Sequence, residues 1–197
     1  MSYRVAVCVS GGGSNLQALL DRLQGEAPAR VVLVLSNRPD AGGLERARKA
    51  GIPAEVFADH GDAAEWITRL GRRDVDLVVL AGYLKLVPAG VTQKYAGRIV
   101  NVHPALLPAF GGEGMYGKRV HEAVLASGAP ESGPTVHLVD EEFDRGPILA
   151  QRTVPVLPDD TAERLAARVL EMEHRLLPDV VLAAARAGRP VPLPADD

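Results

Sequence analysis

The 197 residues are 47% hydrophobic and 24% charged, enough apolar material for one globular domain with a full core. A net charge of −3 and only 4% aromatic residues exclude a broad basic face for nucleic acid or anionic membrane, and a base-stacking platform. The apolar runs VVLVL and DLVVLAGYL are too short to span a bilayer, and the opening MSYRVAVCVS reads as a strand rather than a leader. The single cysteine, Cys8, excludes an internal disulfide or a cysteine-built zinc site; within VAVCV it reads as a small core residue. A cytoplasmic protein with no membrane or nucleic-acid partner is expected, acting alone or as a homodimer.

In chain order, short β-rich runs alternate with amphipathic stretches. That pattern predicts an α/β fold, a Rossmann-like, mostly parallel twisted sheet with helices on both faces. RVAVCVS (4–10) is the first strand, and a helix opens at Ser14, where Ser14 and Gln17 form a capping-box spacing. RVVLVLS (30–36) is a strand, GGLERARKAG (42–51) a helix closed by Gly51, and Ile52 to Phe57 a short strand. Residues 62–73 read as helix, 75–82 as a buried strand, 88–95 as a short helix and 98–102 as a strand. A loop over 103–116 leads to a helix over 117–128 with a glycine stop; 135–140 and 147–156 are the last strands. A long helix over 160–187 opens on Asp160 with Glu163 three residues on, and Pro178 kinks or divides it. Residues 1–187 are expected to form a single domain and 188–197 a tail. Ligands of such a sheet bind beyond the carboxyl ends of its strands, which selects Ser10–Asn15, Gly82–Val87 and Asn101–Pro104.

VSGGGSNLQAL sets three glycines between strand and helix, so backbone N–H groups can approach an anion at the helix start. The dinucleotide pattern fits only in part: Gly11 and Gly13 match, but Leu16 replaces the third glycine and no acidic ribose ligand follows. A single phosphate group is the better reading; the plainer alternative is a tight turn before a capped helix. GEGMYGKR has the spacing of a triphosphate loop, but Arg119 stands where magnesium needs Ser or Thr, and no strand precedes it. Nucleoside triphosphate is therefore excluded. Five scattered histidines give no pair at ligand spacing, so no metal is expected.

Asn101 and His103 lie two apart at a strand end and point the same way. Pro104 and Pro108 bias their preceding residues to extended backbone. VHLVDEEFDRGPI then offers a strand and a carboxylate-rich loop from Asp140 to Asp144. An imidazole beside such a carboxylate can be held as imidazolium, and an amide donor beside it would clamp a developing oxyanion. That is equipment for acyl-group chemistry without a covalent nucleophile; the plainer alternative is a capped strand end with a satisfied surface histidine. Glu173 interrupts the apolar stripe Ala166, Val169, Leu170, Leu176, Leu177, where a carboxylate is costly unless paired or facing a pocket. A snorkelling edge glutamate is the alternative there.

NVHPALLP, TVHLVDEEFDRGPI, SGGGSNLQAL and EMEHRLLPDVV together resemble the folate-dependent formyltransferases, and within them the phosphoribosylglycinamide formyltransferases, from Arg4 to about Val181. The resemblance implies the formyltransferase fold and transfer of a formyl group from 10-formyltetrahydrofolate, the co-substrate, to the amine of glycinamide ribonucleotide in purine (IMP) biosynthesis, with no metal or ATP. It implies Asn101, His103 and Asp144 as catalytic residues, supported by His137. Gly13, Ser14, Asn15 and Leu170, Glu171, Met172, Glu173 would hold the ribonucleotide. Leu84, Lys85, Leu86, Val87, Asn101 and Asp140, Glu141, Glu142, Phe143 would border the folate. The loop AFGGEGMYGKR departs from the expected form, Lys85 stands where arginine is common, and FADHGDAAEW offers no basic contact for the folate tail.

Overall fold

The computed structural model describes residues 2–194. Its strands are β1 (Tyr3–Val9), β2 (Ala29–Ser36), β3 (Ala54–Val56), β4 (Leu77–Leu80), β5 (Ile99–His103), β6 (Glu131–Ser132), β7 (Thr135–Leu138), β8 (Ile148–Gln151) and β9 (Val154–Pro155). Its helices are α1 (Ser14–Arg22), α2 (Gly42–Lys49), α3 (Ala63–Gly71), α4 (Ala89–Lys94), α5 (Lys118–Ser127) and α6 (Ala162–Ala187). Strand side chains alternate between two apolar layers. Val5, Val7 and Val9 of β1 meet Leu16, Leu44 and Val180 on one face, while Ala6 and Cys8 meet Trp66, Leu70 and Val91 on the other. Cys8 is fully buried, and that burial pushes its thiol pKa up, as befits a core residue.

The main sheet runs β3-β2-β1-β4-β5-β7-β8. The strands β1 to β5 pair in parallel; β7 is antiparallel to β5, and β8 to β7. The chain winds outward from β1 in one direction and from β4 in the other, so a crevice opens where their carboxyl ends part. The segments after β1, β4 and β5 border it. This is the mostly parallel, doubly covered sheet that the alternation predicts.

Several local expectations are corrected. The stretch 147–156 is two strands, because β9 leaves the main sheet to pair with β6. The Ser14–Gln17 capping box does not form: Gly13 is the N-cap of α1, with φ 73° and no side-chain cap. The Gln17 amide instead donates to Asp21 at 2.8 Å and accepts from Arg46 at 3.2 Å. Thr161, not Asp160, caps α6, its hydroxyl accepting from the Arg164 N–H at 3.3 Å. Asp160 is drawn off by Arg168, at 2.7 and 2.9 Å. Pro178 does not divide α6, which runs through it with Leu176, Leu177, Val180 and Val181 buried on either side. The tail is docked: the Leu193 N–H donates to the Leu149 carbonyl at 2.8 Å, while 195–197 lie outside the described residues.

Candidate active site

Pairing of β5 with β7 sets Asn101 opposite His137 and His103 opposite Thr135. Alternation then brings the side chains of Asn101, His103 and His137 to the same end of the crevice. The loop after β7 returns Asp144 into the gap, in a left-handed conformation with φ 56°. Asp144 Oδ2 lies 3.4 Å from His103 Nδ1, and Oδ1 lies 3.4 Å from both His137 Nε2 and Asn101 Nδ2. Asn101 Nδ2 is 3.1 Å from His137 Nε2. His137 Nδ1 donates to the Leu138 carbonyl at 2.7 Å, which fixes the ring.

The glycine-rich loop is built around Asp144. The Gly112 N–H donates to Asp144 Oδ2 at 3.0 Å. A Cβ on Gly111 would lie 2.5 Å from Leu107 Cδ2 and 3.1 Å from Asp144 Cβ, so any larger residue would have to push the Leu107 side chain aside and crowd Asp144. His103 Nε2 donates to the Phe110 carbonyl at 2.8 Å.

Electrostatics at His103 pull in two directions. Burial is the largest influence on His103 and lowers its pKa, outweighing the upward pull of Asp144 and of the Phe110 carbonyl. Burial thus works against the imidazolium that the carboxylate alone would favour. Burial opposes ionisation of Asp144 too, but the His137 and His103 rings beside it and the Gly112 N–H together hold its carboxyl below the ordinary value. A carboxylate touching a buried imidazole whose proton affinity is pulled both ways is a proton-handling pair.

A cavity of about 870 Å³ connects this cluster to the Gly11–Asn15 loop and to α6. Of the residues singled out from sequence, Gly13, Ser14, Asn15, Leu170 and Glu173 line one lobe. Leu84 to Val87, Glu142 and Phe143 line the other, with Asn101, His103, His137 and Asp144 between the two. Leu84, Leu86, Phe143 and Tyr116 are exposed large apolar side chains along its wall, the mark of a site for a largely apolar ligand. Asp140, Glu141, Glu171 and Met172 do not reach the cavity wall. Asp140 accepts from the Glu142 N–H, Glu141 accepts from Gln93, Glu171 faces solvent and Met172 packs against the cluster around Val120 and Leu165. Helical phase explains the last two: Ala166, Leu170 and Glu173 share one face, and 171 and 172 turn away.

Glu173 is 7% exposed, and burial raises its carboxyl pKa to about 7 against the pull of its bond from Asn15 Nδ2, at 2.5 Å. Asn15 Oδ1, equally buried, has no partner. Ser10, at the end of β1, joins the two lobes: its hydroxyl accepts from the Leu84 N–H at 3.0 Å and donates to Asn37 Oδ1 at 2.7 Å. Ser10 falls in a stretch that the strand-end rule selects, though with no assigned role; sequence reading missed His121, which is buried on the cavity wall with Nδ1 unpartnered. His121 carries no local signal; only the packing of α5 brings it in. Among the described residues, no group of three or more His, Cys, Asp or Glu is arranged to hold a metal ion. Nor is any helix there long and apolar enough to cross a membrane.

Residues 3–181 match the family model described as formyl transferase. A chloroplastic phosphoribosylglycinamide formyltransferase of Arabidopsis thaliana is 50% identical over 186 residues, covering 90% of this chain and 64% of that protein; the chain thus spans somewhat under two thirds of that relative's length. A Haemophilus influenzae protein named phosphoribosylglycinamide formyltransferase is 40% identical, covering 90% of this chain and 85% of its own. The crystal structure of phosphoribosylglycinamide formyltransferase from Anaplasma phagocytophilum superposes with a TM-score of 0.88 at 39% identity, covering 95% of this chain and 88% of that one. The matched span holds every residue of the site, from the glycine loop to Glu173, and this chain belongs to the formyl transferase family.

Proposed function

We propose that the protein transfers the formyl group of 10-formyltetrahydrofolate to the amine of glycinamide ribonucleotide, a step of purine biosynthesis, in the cytoplasm. The convergence of Asn101, His103 and Asp144 midway between an anion-suited glycine loop and an apolar lobe carries this reading. The ribonucleotide's phosphate lies against the N–H groups of Gly13, Ser14 and Asn15, and its sugar against Glu173 and Asn15. The folate lies along Leu84 to Val87 and Phe143. The reacting carbon then falls beside Asn101.

The amine attacks the formyl carbon directly, and negative charge develops on the formyl oxygen. Asn101 Nδ2 donates to that oxygen; its 3.4 Å contact to Asp144 is long enough to yield. Negative charge beside His103 raises the ring's proton affinity, and its nitrogens already face two acceptors, Asp144 and the Phe110 carbonyl. Asp144 takes the proton that the amine loses, through a bridging water, and shares it with His103. His103 passes it to the departing folate nitrogen. One C–N bond forms, one breaks, and one proton moves from amine to folate. No side chain becomes acylated, and much of the acceleration comes from holding two substrates in attack geometry.

The test is release of tetrahydrofolate from a 10-formyl folate analogue, followed by absorbance with and without glycinamide ribonucleotide. Turnover that depends on the acceptor is expected. Turnover without it would mean a hydrolase, and none in either case a binding protein.

A further inference from the structure

GGLERARKAG reads from sequence only as a helix, yet the first turn and a half of α2 are built against the glycine loop. The Gly43 N–H donates to the Gly11 carbonyl at 3.0 Å, and Arg46 Nε donates to the Gly12 carbonyl at 2.7 Å. The Gly13 carbonyl is taken by the Gln17 N–H at 2.9 Å. All three carbonyls of the loop, the groups that would repel an anion, are therefore engaged by α1 or α2. The N–H groups of Gly13, Ser14 and Asn15 donate to no other described residue. Asn15 Oδ1, buried and unpartnered on the cavity wall, is a second sign that this lobe is completed by a ligand.

Arg46 differs from the other charges on its helix. Glu45, Arg48 and Lys49 pair with one another in solvent at 3.7–4.0 Å. Arg46 is half-buried and folds over the loop, its Nη1 donating to Gln17 Oε1 at 3.2 Å. Its Cδ would lie 3.5 Å from a Cβ at Gly13. Two separate donors of one planar fork thus hold the loop and the first turn of α1 together, which lysine's single ammonium does not do. The guanidinium also places a fixed positive charge directly behind Gly12.

We infer that Arg46 is a positioning and specificity-determining residue for the acceptor's phosphate: it holds the Gly12 carbonyl away from the anion and selects the phosphorylated acceptor over its phosphate-free nucleoside. This rests on the ribonucleotide reading above.

The experiment compares wild type, Arg46→Met and Arg46→Lys in steady-state formyl transfer to glycinamide ribonucleotide and to the corresponding ribonucleoside, with ribose 5-phosphate binding measured by calorimetry. In Arg46→Met the KM for the ribonucleotide should rise roughly 10–100-fold, the loss expected for one charged hydrogen bond. The KM for the ribonucleoside and kcat should move far less, ribose 5-phosphate should weaken in parallel, and Arg46→Lys should recover part of the loss. Equal shifts for both acceptors would make Arg46 merely structural, and an unchanged ribonucleotide KM would overturn the inference outright. If Arg46→Met does not fold, Arg46→Gln, which keeps a donor for Gly12 without the charge, decides by the same ratio. A wild type that formylates neither acceptor would refute the proposed function instead; the ribose 5-phosphate arm would still test Arg46.

Discussion

Asn101 Nδ2 is held beside His137 and Asp144 at 3.1 and 3.4 Å, which fixes the amide at the cavity wall with one long contact to give up to an oxyanion. Removing one such donor costs roughly 10²–10³ in turnover. Asn101→Ala should therefore lower kcat by that factor while ribonucleotide affinity, measured by calorimetry, stays near normal, because the glycine loop and Glu173 are untouched. His103 offers a spectroscopic check. Its pKa is lowered chiefly by burial and raised in part by Asp144, so an NMR titration of the ring should give a midpoint below the ordinary 6.5. In Asp144→Asn that midpoint should fall further, since the upward pull is gone. A midpoint that rises would mean the carboxylate does not act on this ring.

The βα turn between β1 and α1 is where an element, not a residue, makes the site. Gly13 has φ 73°, and a Cβ there would lie 2.6 Å from the Gly43 Cα. Gly25 also has a positive φ, of 63°, but nothing lies within 4 Å of its missing Cβ. Backbone strain alone costs about 1 kcal/mol at either position. Gly13→Ala should lose clearly more stability than Gly25→Ala in thermal unfolding and should also lose ribonucleotide binding, because α2 must retreat from the loop. At the far end of the fold, Thr161→Ala removes only the α6 cap. It should cost about 1 kcal/mol with formyl transfer unaltered.

For the whole molecule, buried titratable groups in one cavity set a pH window. Glu173 has a folded pKa of about 7 against an ordinary 4.5, so its burial leaves the fold unstrained below pH 4.5 and costs stability as pH rises through 7. The full effect is on the order of 3 kcal/mol. Depressed pKa values work the other way: His103 costs stability as pH falls below about 6.5, and Asp144 as it falls below 3.8. Urea unfolding should show Glu173→Gln gaining on wild type between pH 5 and 8, with ribonucleotide affinity reduced. No gain at pH 8 would mean that Glu173 is not held in an unfavourable charged state.

Alternating apolar runs determined the strands and the two-faced sheet, because a period of two or of 3.6 is a property of the chain itself. Asn101 and His103 were legible for the same reason: two residues apart on a strand, they share a face wherever that strand packs. The pairing of His137 with Asn101, the engagement of Gly12 by Arg46 and the bridge from Ser10 to Leu84 were decided only by tertiary structure. Each joins residues 34 to 74 positions apart whose local sequences carry no mark of the partner. So was the balance of forces on the His103 proton. The sequence places a carboxylate near an imidazole, but only packing tells how far water is excluded, and here exclusion of water outweighs the carboxylate.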